Sequence, residues 1–258
     1  AFHIKQPEEI KHNIDNMAYF RDLIAKYTKN GGLDKQGLYS ELERLNSEEL
    51  QCFYMVYNWL SAGGRSVFLQ DGNSIALNPE KLADVLSYLR EKFPHIDRIT
   101  TYGRAETLSR WSEGQLKLLH DSGLNRIHTG FESGSDNVLK LINKGSTLQN
   151  EIDGGVKAKK AGLELSVYFM PGIGGKEYSG ENASETAKAI NIISPDFVRL
   201  RTFVLKKESE LYPMELKREF TSCTDREKLK EIRELVAEVY EPDVNIVSDH
   251  IVNLIGSL

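Results

Sequence analysis

Residues 125–147 read Asn-Arg-Ile-His-Thr-Gly-Phe-Glu-Ser-Gly-Ser-Asp-Asn-Val-Leu-Lys-Leu-Ile-Asn-Lys-Gly-Ser-Thr. This stretch predicts a strand, a turn of small residues and a helix that starts at Ser135 and Asp136. A single acid, Glu132, stands where the strand ends. Barrels of alternating strands and helices place their chemistry at the carboxyl ends of their strands. We therefore expect the functional site at this end of the fold.

The strand–helix alternation extends over most of the chain. Strands are predicted to start near residues 66, 97, 125, 164 and 197, and each is followed by a helical pattern. Spacings of about 30 to 40 residues suit β-α-β units, which build parallel sheets with right-handed crossovers. The pattern indicates an α/β fold, either an open barrel or a doubly wound sheet.

Helices are also predicted outside the strand region. Pro7 marks a helix N-terminus, because proline fits the first helical turn. Thr224 begins a capping-box pattern before a charged helix, and Ser248 predicts a short last helix over residues 248–253. Gly154 and Gly155 weaken the prediction of a helix that starts at Thr147.

Composition limits the classes of partner. The chain has 258 residues, of which 40% are hydrophobic, and a net charge of −5. That size allows one large core, and the acidic balance disfavours a nucleic-acid partner. No apolar run approaches the roughly 18 residues of a membrane-spanning helix, so no membrane partner is expected. Without a signal-peptide pattern, the expected location is cytoplasmic.

The turns after four of the predicted strands share a composition rich in small and polar residues. They are Gln70–Asn73, Tyr102–Arg104, Gly130–Gly134 and Met170–Gly175. Glycine lets the backbone approach a ligand closely. An ordinary turn explains any one of them alone. Together, on consecutive strands, they predict an extended polar ligand that lies across the carboxyl ends of the strands, an edge that we call the rim.

These turns, in this order, resemble those of the radical S-adenosylmethionine (SAM) superfamily. The most specific part is Gly130–Leu139 followed by Asn143–Thr147. It resembles the subgroup that contains oxygen-independent coproporphyrinogen oxidase, the elongator catalytic subunit and the methylthiotransferases. Leu69–Asn73 resembles the turn that binds the amino group of SAM, and Phe169–Gly175 resembles the motif beside the adenine. The resemblance covers about residues 60–206.

The resemblance implies an enzyme, a radical SAM oxidoreductase or transferase. Such an enzyme binds SAM and a [4Fe–4S] cluster, and cleaves SAM reductively to a 5′-deoxyadenosyl radical that acts on a substrate unknown here. It further implies that Glu132 contacts the ribose or amino group and that Lys144 faces the methionine carboxylate. The residues assigned to SAM are Asp71, Gly72, Asn73, Tyr102, Glu132, Ser133, Lys144, Met170, Gly172 and Arg199. No residue is assigned to catalysis.

The chain departs from the family at the cluster. Family members carry three closely spaced cysteines after their first strand, whereas Cys52 and Cys223 are isolated and predict no metal site. Our interpretation is an α/β partial TIM-type (β/α)6 barrel over residues 1–206 that lacks its first strand, with a helical C-terminal extension over 207–258. This chain alone is expected to be inactive. The exposed edge at Val67–Leu69 could form an edge-strand dimer.

Alternatives stay open on the residues alone. Glu132 also suits a helix cap, and Lys144 suits a helix-end cation. Arg199 and Arg201 share one strand face, where they either bind an anionic substrate or cover a helix seam. The alternative functions are a cluster-less barrel that binds a nucleotide-like ligand, and an ordinary αβ-barrel lyase. The lyase needs a lysine or a metal at the strand ends, where none is predicted.

Overall fold

The structure is a computed structural model that describes residues 5–29, 32–70, 73–250 and 253. A helical layer comes first along the chain. It consists of α1 (Pro7–Lys26), the short hairpin β1 (Thr28–Lys29) and β2 (Gly32–Leu33), α2 (Lys35–Leu42) and α3 (Ser47–Ser61). Helix α1 starts as predicted, with Pro7 in its first turn and a capping box between Gln6 and Glu9. These helices share a small apolar core around Phe20, Phe53 and Val56.

The centre of the fold is a parallel sheet of six strands in the described part of the chain: β3 (Ser66–Leu69), β4 (Arg98–Tyr102), β5 (Arg126–Glu132), β6 (Glu164–Phe169), β7 (Phe197–Leu200) and β8 (Asn245–Val247). The strands pair in chain order and each neighbour is parallel. The helices between them are α4 (Pro79–Lys92), α5 (Ala105–Arg110), α6 (Glu113–Asp121), α7 (Asp136–Leu141), α8 (Leu148–Lys160), α9 (Gly175–Ile193), α10 (Leu211–Leu216) and α11 (Asp225–Glu238). This architecture confirms the predicted α/β partial barrel.

The two faces of the sheet differ in chemistry because side chains alternate along each strand. Ile127, Leu165 and Val198 face the helices, are fully buried and belong to the main apolar core. His128 and Arg199 lie on the opposite face, which we call the inner face. Burial of the apolar face stabilises the sheet at roughly 25 cal/mol per Å² of apolar surface removed from water. The inner face is left for polar chemistry.

Helix α8 forms in spite of its glycine pair. A Cβ on Gly154 would lie 2.8 Å from the Ala105 carbonyl oxygen, and a Cβ on Gly155 would lie 2.7 Å from Cγ2 of Ile193. The glycines therefore let α8 pack closely against α5 on one side and α9 on the other. The low helix propensity of glycine made the sequence pattern look weak there. Tertiary packing outweighs this low propensity in the structure.

The C-terminal segment is more than a helical extension. Beyond α10 and α11 it supplies β8, which pairs in parallel with β7. The prediction of a helix that starts at Ser248 is wrong for the described residues, because residues 248–250 have no regular secondary structure after β8. The buried amide of Asn253 accepts a hydrogen bond from Thr202 N at 3.0 Å and donates one to the Leu200 carbonyl at 2.9 Å. This segment therefore follows the edge of the sheet.

Strand β3 lies at the other edge of the described sheet, as predicted. A cavity of about 340 Å³ runs beside it, between the strand, α1 and α4, and its apolar lining includes Ile14, Met17, Val67 and Leu82. Dimer formation through this edge stays a prediction. No helix in the described ranges is both long enough and apolar enough to cross a membrane.

The glycine packing of α8 gives a stability prediction. Gly154→Ala should lower the free energy of unfolding by about 1 to 3 kcal/mol, because its methyl group would press on the backbone of α5. Gly180→Ala is the matched control, since a Cβ there, on α9, meets nothing within 4 Å. That control should be neutral or stabilise by up to about 1 kcal/mol through helix propensity. Urea denaturation measures both, and equal effects of the two substitutions would contradict the packing account.

Candidate functional site

The turn after β3 is tied to the turn after β4. Asp71 and Gly72, both predicted to bind SAM, lie outside the described residues. Asn73, the third residue of that motif, accepts a hydrogen bond from Arg104 N at 3.0 Å and donates one to Oγ1 of Thr107 at 3.1 Å. The Asn73 side chain therefore holds neighbouring turns together on the rim.

Glu132 lies at an irregularity of β5. The register with β6 shifts between Gly130 and Glu132, and Glu132 has a left-handed backbone with φ of 64°. Non-glycine residues adopt this conformation at a cost of about 1 to 3 kcal/mol, and such strain clusters at functional sites. A Cβ on Gly130 would collide with the Glu132 carboxylate. The carbonyl of Glu132 also accepts a hydrogen bond from Met170 N at 2.9 Å, which joins this turn to the one after β6.

Lys144 meets Glu132 on the rim. Its Nζ lies 2.9 Å from Oε1 of Glu132, and the two side chains are 22% and 21% exposed respectively. Two left-handed residues, Asn143 with φ of 51° and Gly145 with φ of 71°, set the turn that presents Lys144 after α7. The guanidinium of Arg104 donates to the Lys144 carbonyl at 2.8 Å. A continuous polar chain therefore runs from Asn73 through Arg104 to Lys144 and Glu132.

Ser133 is fully buried and serves the local backbone in this structure. Its hydroxyl accepts a hydrogen bond from Ser135 N at 2.9 Å, while the Ser135 hydroxyl caps α7. Gly134 donates its N–H to Oγ1 of Thr186 at 2.7 Å. A Cβ on Gly134 would lie 2.5 Å from the Thr186 Cα. The turn after β5 is therefore fixed against α9, and a contact of Ser133 with SAM stays a prediction.

The turn over Met170–Gly175 is held by an acid from the C-terminal segment. Glu231, on α11, accepts hydrogen bonds from Gly172 N at 3.1 Å, the Ser179 hydroxyl at 2.6 Å and the Asn182 amide at 2.6 Å. Burial raises the pKa of Glu231, and these hydrogen bonds oppose that rise. The sequence analysis missed Glu231, because it lies 59 residues from Gly172 and carries no local signal.

Rings line the inner face below the rim. Phe68, His128 and Tyr168 stack in sequence, with centroid separations of 5.7 and 5.9 Å. Tyr102 packs against Phe68 at 4.8 Å and against His128 at 5.8 Å. Burial and a hydrogen bond with Tyr102 raise the pKa of Tyr168 to about 12, so its phenol stays neutral at physiological pH. Tyr102 therefore belongs to this ring layer.

Arginines flank the rings. Arg199, predicted to bind SAM, donates from Nε to the Ser166 hydroxyl at 3.1 Å and pairs with Asp249. Arg201 lies 3.1 Å from the same Asp249 carboxylate. A contact of Arg199 with SAM stays a prediction, because the Arg199 side chain bonds to Ser166 and Asp249 and not to the Glu132–Lys144 pair. The inner face thus carries a cationic patch next to the rim.

His128 is held uncharged by its surroundings. It is 6% exposed, and within the described residues its Nδ1 has no hydrogen-bond partner. Burial lowers the pKa of His128 to about 4, and the charges of Arg199, Arg126 and Arg201 add to this effect. The sequence analysis missed His128, whose place among the rings depends on the register of three strands.

A second acid that the sequence analysis missed lies behind the rim. Glu151, in the first turn of α8, is fully buried, and within the described residues both of its carboxylate oxygens lack a hydrogen-bond partner. Burial raises the pKa of Glu151 well above its ordinary value, against the attraction of Lys144. Burial therefore favours the protonated, neutral form of this acid. A protonated carboxyl carries a donor and an acceptor.

The cysteines of the chain do not fit an iron–sulfur cluster. Cys52 lies in α3 and Cys223 lies immediately before the N-cap of α11. Burial raises the pKa of both thiols, that of Cys223 to about 11, which disfavours the thiolate. In the described ranges, no group of three or more His, Cys, Asp or Glu side chains could hold a metal. A [4Fe–4S] cluster requires several converging thiolates, which this chain does not supply.

The buried imidazole gives a pH prediction. Between pH values of about 4 and 6.5, His128 is protonated in the unfolded chain and neutral in the folded chain. The stability of the fold is therefore present above this pH window and is lost as the pH falls through it. From about pH 7 to about pH 5, this group alone should lower the unfolding free energy by about 2 kcal/mol. His128→Phe keeps the ring and should remove that loss.

The measurement is urea denaturation of wild type and variant at both pH values. His95→Phe is the control, because His95 is exposed. It should keep the wild-type pH dependence. An unchanged pH dependence in His128→Phe would show that His128 is not held neutral by the fold.

Comparison with known proteins gives a consistent picture. The sequence profile of the radical SAM superfamily matches residues 54–187, just over half of the chain. A tRNA uridine(34) acetyltransferase from Methanocaldococcus infernus is 25% identical over 122 residues, which are 47% of this chain and 23% of that protein. The chain therefore spans much less than the length of this relative.

Solved structures share the fold. The archaeal Elp3 of Methanocaldococcus infernus with an N-terminus deletion superposes with a TM-score of 0.57 and 20% identity, and the match covers 75% of this chain and 50% of that one. Coproporphyrinogen III oxidase from Escherichia coli, described as a radical SAM enzyme, gives a TM-score of 0.54 and 15% identity, covering 90% and 46%. The family match supports an enzyme, and the shared fold agrees with it. On the profile match over residues 54–187, the chain belongs to the radical SAM superfamily.

Proposed function

We propose that this chain binds SAM across the carboxyl ends of β3 to β7, with the amino-acid end of SAM at the Glu132–Lys144 pair. The observation that carries the proposal is this pair, an acid and a base 2.9 Å apart and partly exposed on the rim. The amino-acid end of SAM is itself a zwitterion, with an ammonium and a carboxylate. Glu132 can accept from the ammonium and Lys144 can donate to the carboxylate, so one ion pair opens and two form.

The strained backbone supports this assignment. A helix cap or a surface cation, the alternatives for Glu132 and Lys144, requires no left-handed residue at the strand end. Here Glu132 adopts a φ of 64° and folds its carboxylate over Gly130, where a side chain would displace it. Local strain of this kind persists where the surrounding structure fixes it, often for a function.

The remaining predicted contacts take supporting positions in the proposal. Asn73 fixes the turns after β3 and β4, and Tyr102 forms the floor below them. Met170 and Gly172 form the wall of the adenine side, held by Glu231. Gly172 has a φ of 86°, and a Cβ there would lie 3.0 Å from Lys228 of α11, so glycine is required at that place.

The proposal for this chain stops at SAM binding. In the family, a [4Fe–4S] cluster supplies the electron for reductive cleavage of SAM, and its cysteine ligands would have to come from outside these 258 residues. The chain alone is therefore expected to bind SAM without cleaving it. The relatives include a tRNA acetyltransferase and a coproporphyrinogen oxidase, so an oxidoreductase and a transferase are both compatible with this fold.

The pair gives a direct binding prediction. Glu132→Gln and Lys144→Met should each weaken SAM binding by about tenfold to a hundredfold, because each leaves one charge of the zwitterion without its partner. Isothermal titration calorimetry measures the affinities. Glu113→Gln and Lys160→Met are the matched controls, because these residues form an exposed ion pair at 3.4 Å. They should bind SAM as the wild type does.

A second ligand separates recognition from folding. 5′-Methylthioadenosine lacks the amino-acid end, so its affinity should be the same in Glu132→Gln and wild type. If SAM affinity is unchanged in both rim variants, the assignment of Glu132 and Lys144 is refuted. If both ligands weaken equally, the substitutions act through the fold, and the assignment is refuted as well.

A further inference from the structure

We propose that Arg199 and Arg201 form an anion subsite on the inner face, which takes a carboxylate or phosphate group of the substrate, and that Asp249 of the C-terminal segment occupies this subsite when substrate is absent. The inference rests on the proposed function, because it names the chemical class of substrate that would lie beside SAM. It concerns a different set of side chains from those that face the amino-acid end of SAM.

The two arginines are fixed in place with their charges turned to one site. They stand at alternate positions of one extended segment, so they share a face. The Arg199 side chain is 17% exposed and the Arg201 side chain 24%. The guanidinium of Arg201 lies 4.7 Å from the Tyr168 ring centroid, and that of Arg199 lies 5.5 Å from the Phe197 centroid. Stacked guanidinium groups lose less freedom when they bind an anion.

Among the described ion pairs of this face, guanidinium groups outnumber carboxylates. Asp249 is shared by Arg199 and Arg201. Next to them, Glu164 is shared by Arg126 and Arg98, the latter at 3.3 Å. Within the described residues, the ion pairs of this face therefore join four guanidinium groups to two carboxylates. Partly buried cations that share their counter-charge attract a further anion, so an anion would be stabilised here.

Asp249 has the features of a replaceable occupant. Its side chain is 45% exposed and lies in coil after β8, whereas the arginines belong to the sheet and the chain directly after it. Burial raises its pKa, but the hydrogen bond from Arg201 and the charges of both arginines outweigh that effect and lower it. Asp249 is therefore an anion at neutral pH. A substrate phosphate brings more charge and more acceptor oxygens than this one carboxylate.

The groups next to the two arginines are neutral, which suits the binding of a substrate anion more than a structural ion pair. The Ser166 hydroxyl accepts from Arg199, the Tyr168 ring lies against Arg201, and the His128 imidazole stacks on Tyr168. Within the described residues, the buried Nδ1 of His128 has no partner. A buried polar atom without a partner is unfavourable. The subsite therefore combines two guanidinium groups with neutral polar side chains next to them.

The test uses inorganic phosphate and acetate as probes, which separate the two sources of the anion. Both are titrated into wild type, Asp249→Asn and Asp243→Asn by calorimetry at constant ionic strength in sodium chloride. Asp243→Asn is the matched control, because Asp243 is exposed in the same segment and its substitution removes the same charge. Asp249→Asn should bind at least one probe about tenfold more tightly than the control, because the competing carboxylate is gone. The tighter probe names the group.

A second substitution and a second signal complete the test. Adding Arg201→Gln to Asp249→Asn should abolish the gain. In wild type, phosphate should raise the pKa of His128, because the bound anion offsets the charges of Arg199 and Arg201. The imidazole NMR signals of His128 measure this pKa. The inference is wrong if Asp249→Asn binds both probes no better than Asp243→Asn. It is also wrong if saturating phosphate leaves the pKa of His128 unchanged. Asp249 then has a structural role only.

The two proposals fail separately. SAM affinity is measured in the same proteins, and its dependence on Glu132 does not involve Asp249. Loss of the anion effect with normal SAM recognition rejects the subsite alone. Loss of SAM recognition with an intact anion effect rejects the proposed function. The arginines would then form an anion site that does not lie beside bound SAM.

Discussion

Glu132 adopts a left-handed backbone at a bulge in β5, and the rest of the rim depends on this geometry. The bulge turns the Glu132 carboxylate back over Gly130 and toward Lys144. Its carbonyl accepts the N–H of Met170, so the turn after β6 is fixed by the same residue. Arg104 then joins Lys144 to the turn after β4. One irregular residue thus links the turns after three strands.

The second constraint is the placement of charge inside the fold. Apolar side chains cover the helix-facing side of the sheet, so polar groups collect on the inner face and the rim. There burial keeps His128 uncharged and raises the pKa of Glu151, and aromatic rings pack against the arginines. The C-terminal segment takes part in both regions, since Glu231 holds the turn at Gly172 and Asp249 meets the arginines. It is therefore a component of the candidate site.

The sequence predicted those features that local patterns encode. The five strands that start near residues 66, 98, 126, 164 and 197 follow from apolar runs and the turns after them. The Glu132–Lys144 pair followed from resemblance, and the structure adds the contact between them. Strand β8 was missed, because three residues carry no periodicity and are ordered by pairing with β7. Glu231 and His128 were missed because their roles arise from contacts with residues distant in sequence.

The most direct test of the account is a crystal structure of this protein with SAM bound. We predict that the Glu132 and Lys144 side chains separate from their 2.9 Å contact. The SAM ammonium should then lie on the Glu132 carboxylate and the SAM carboxylate on Lys144, with the adenine beside the Met170–Gly175 turn. A complex in which SAM binds elsewhere while the Glu132–Lys144 pair stays closed would contradict the account.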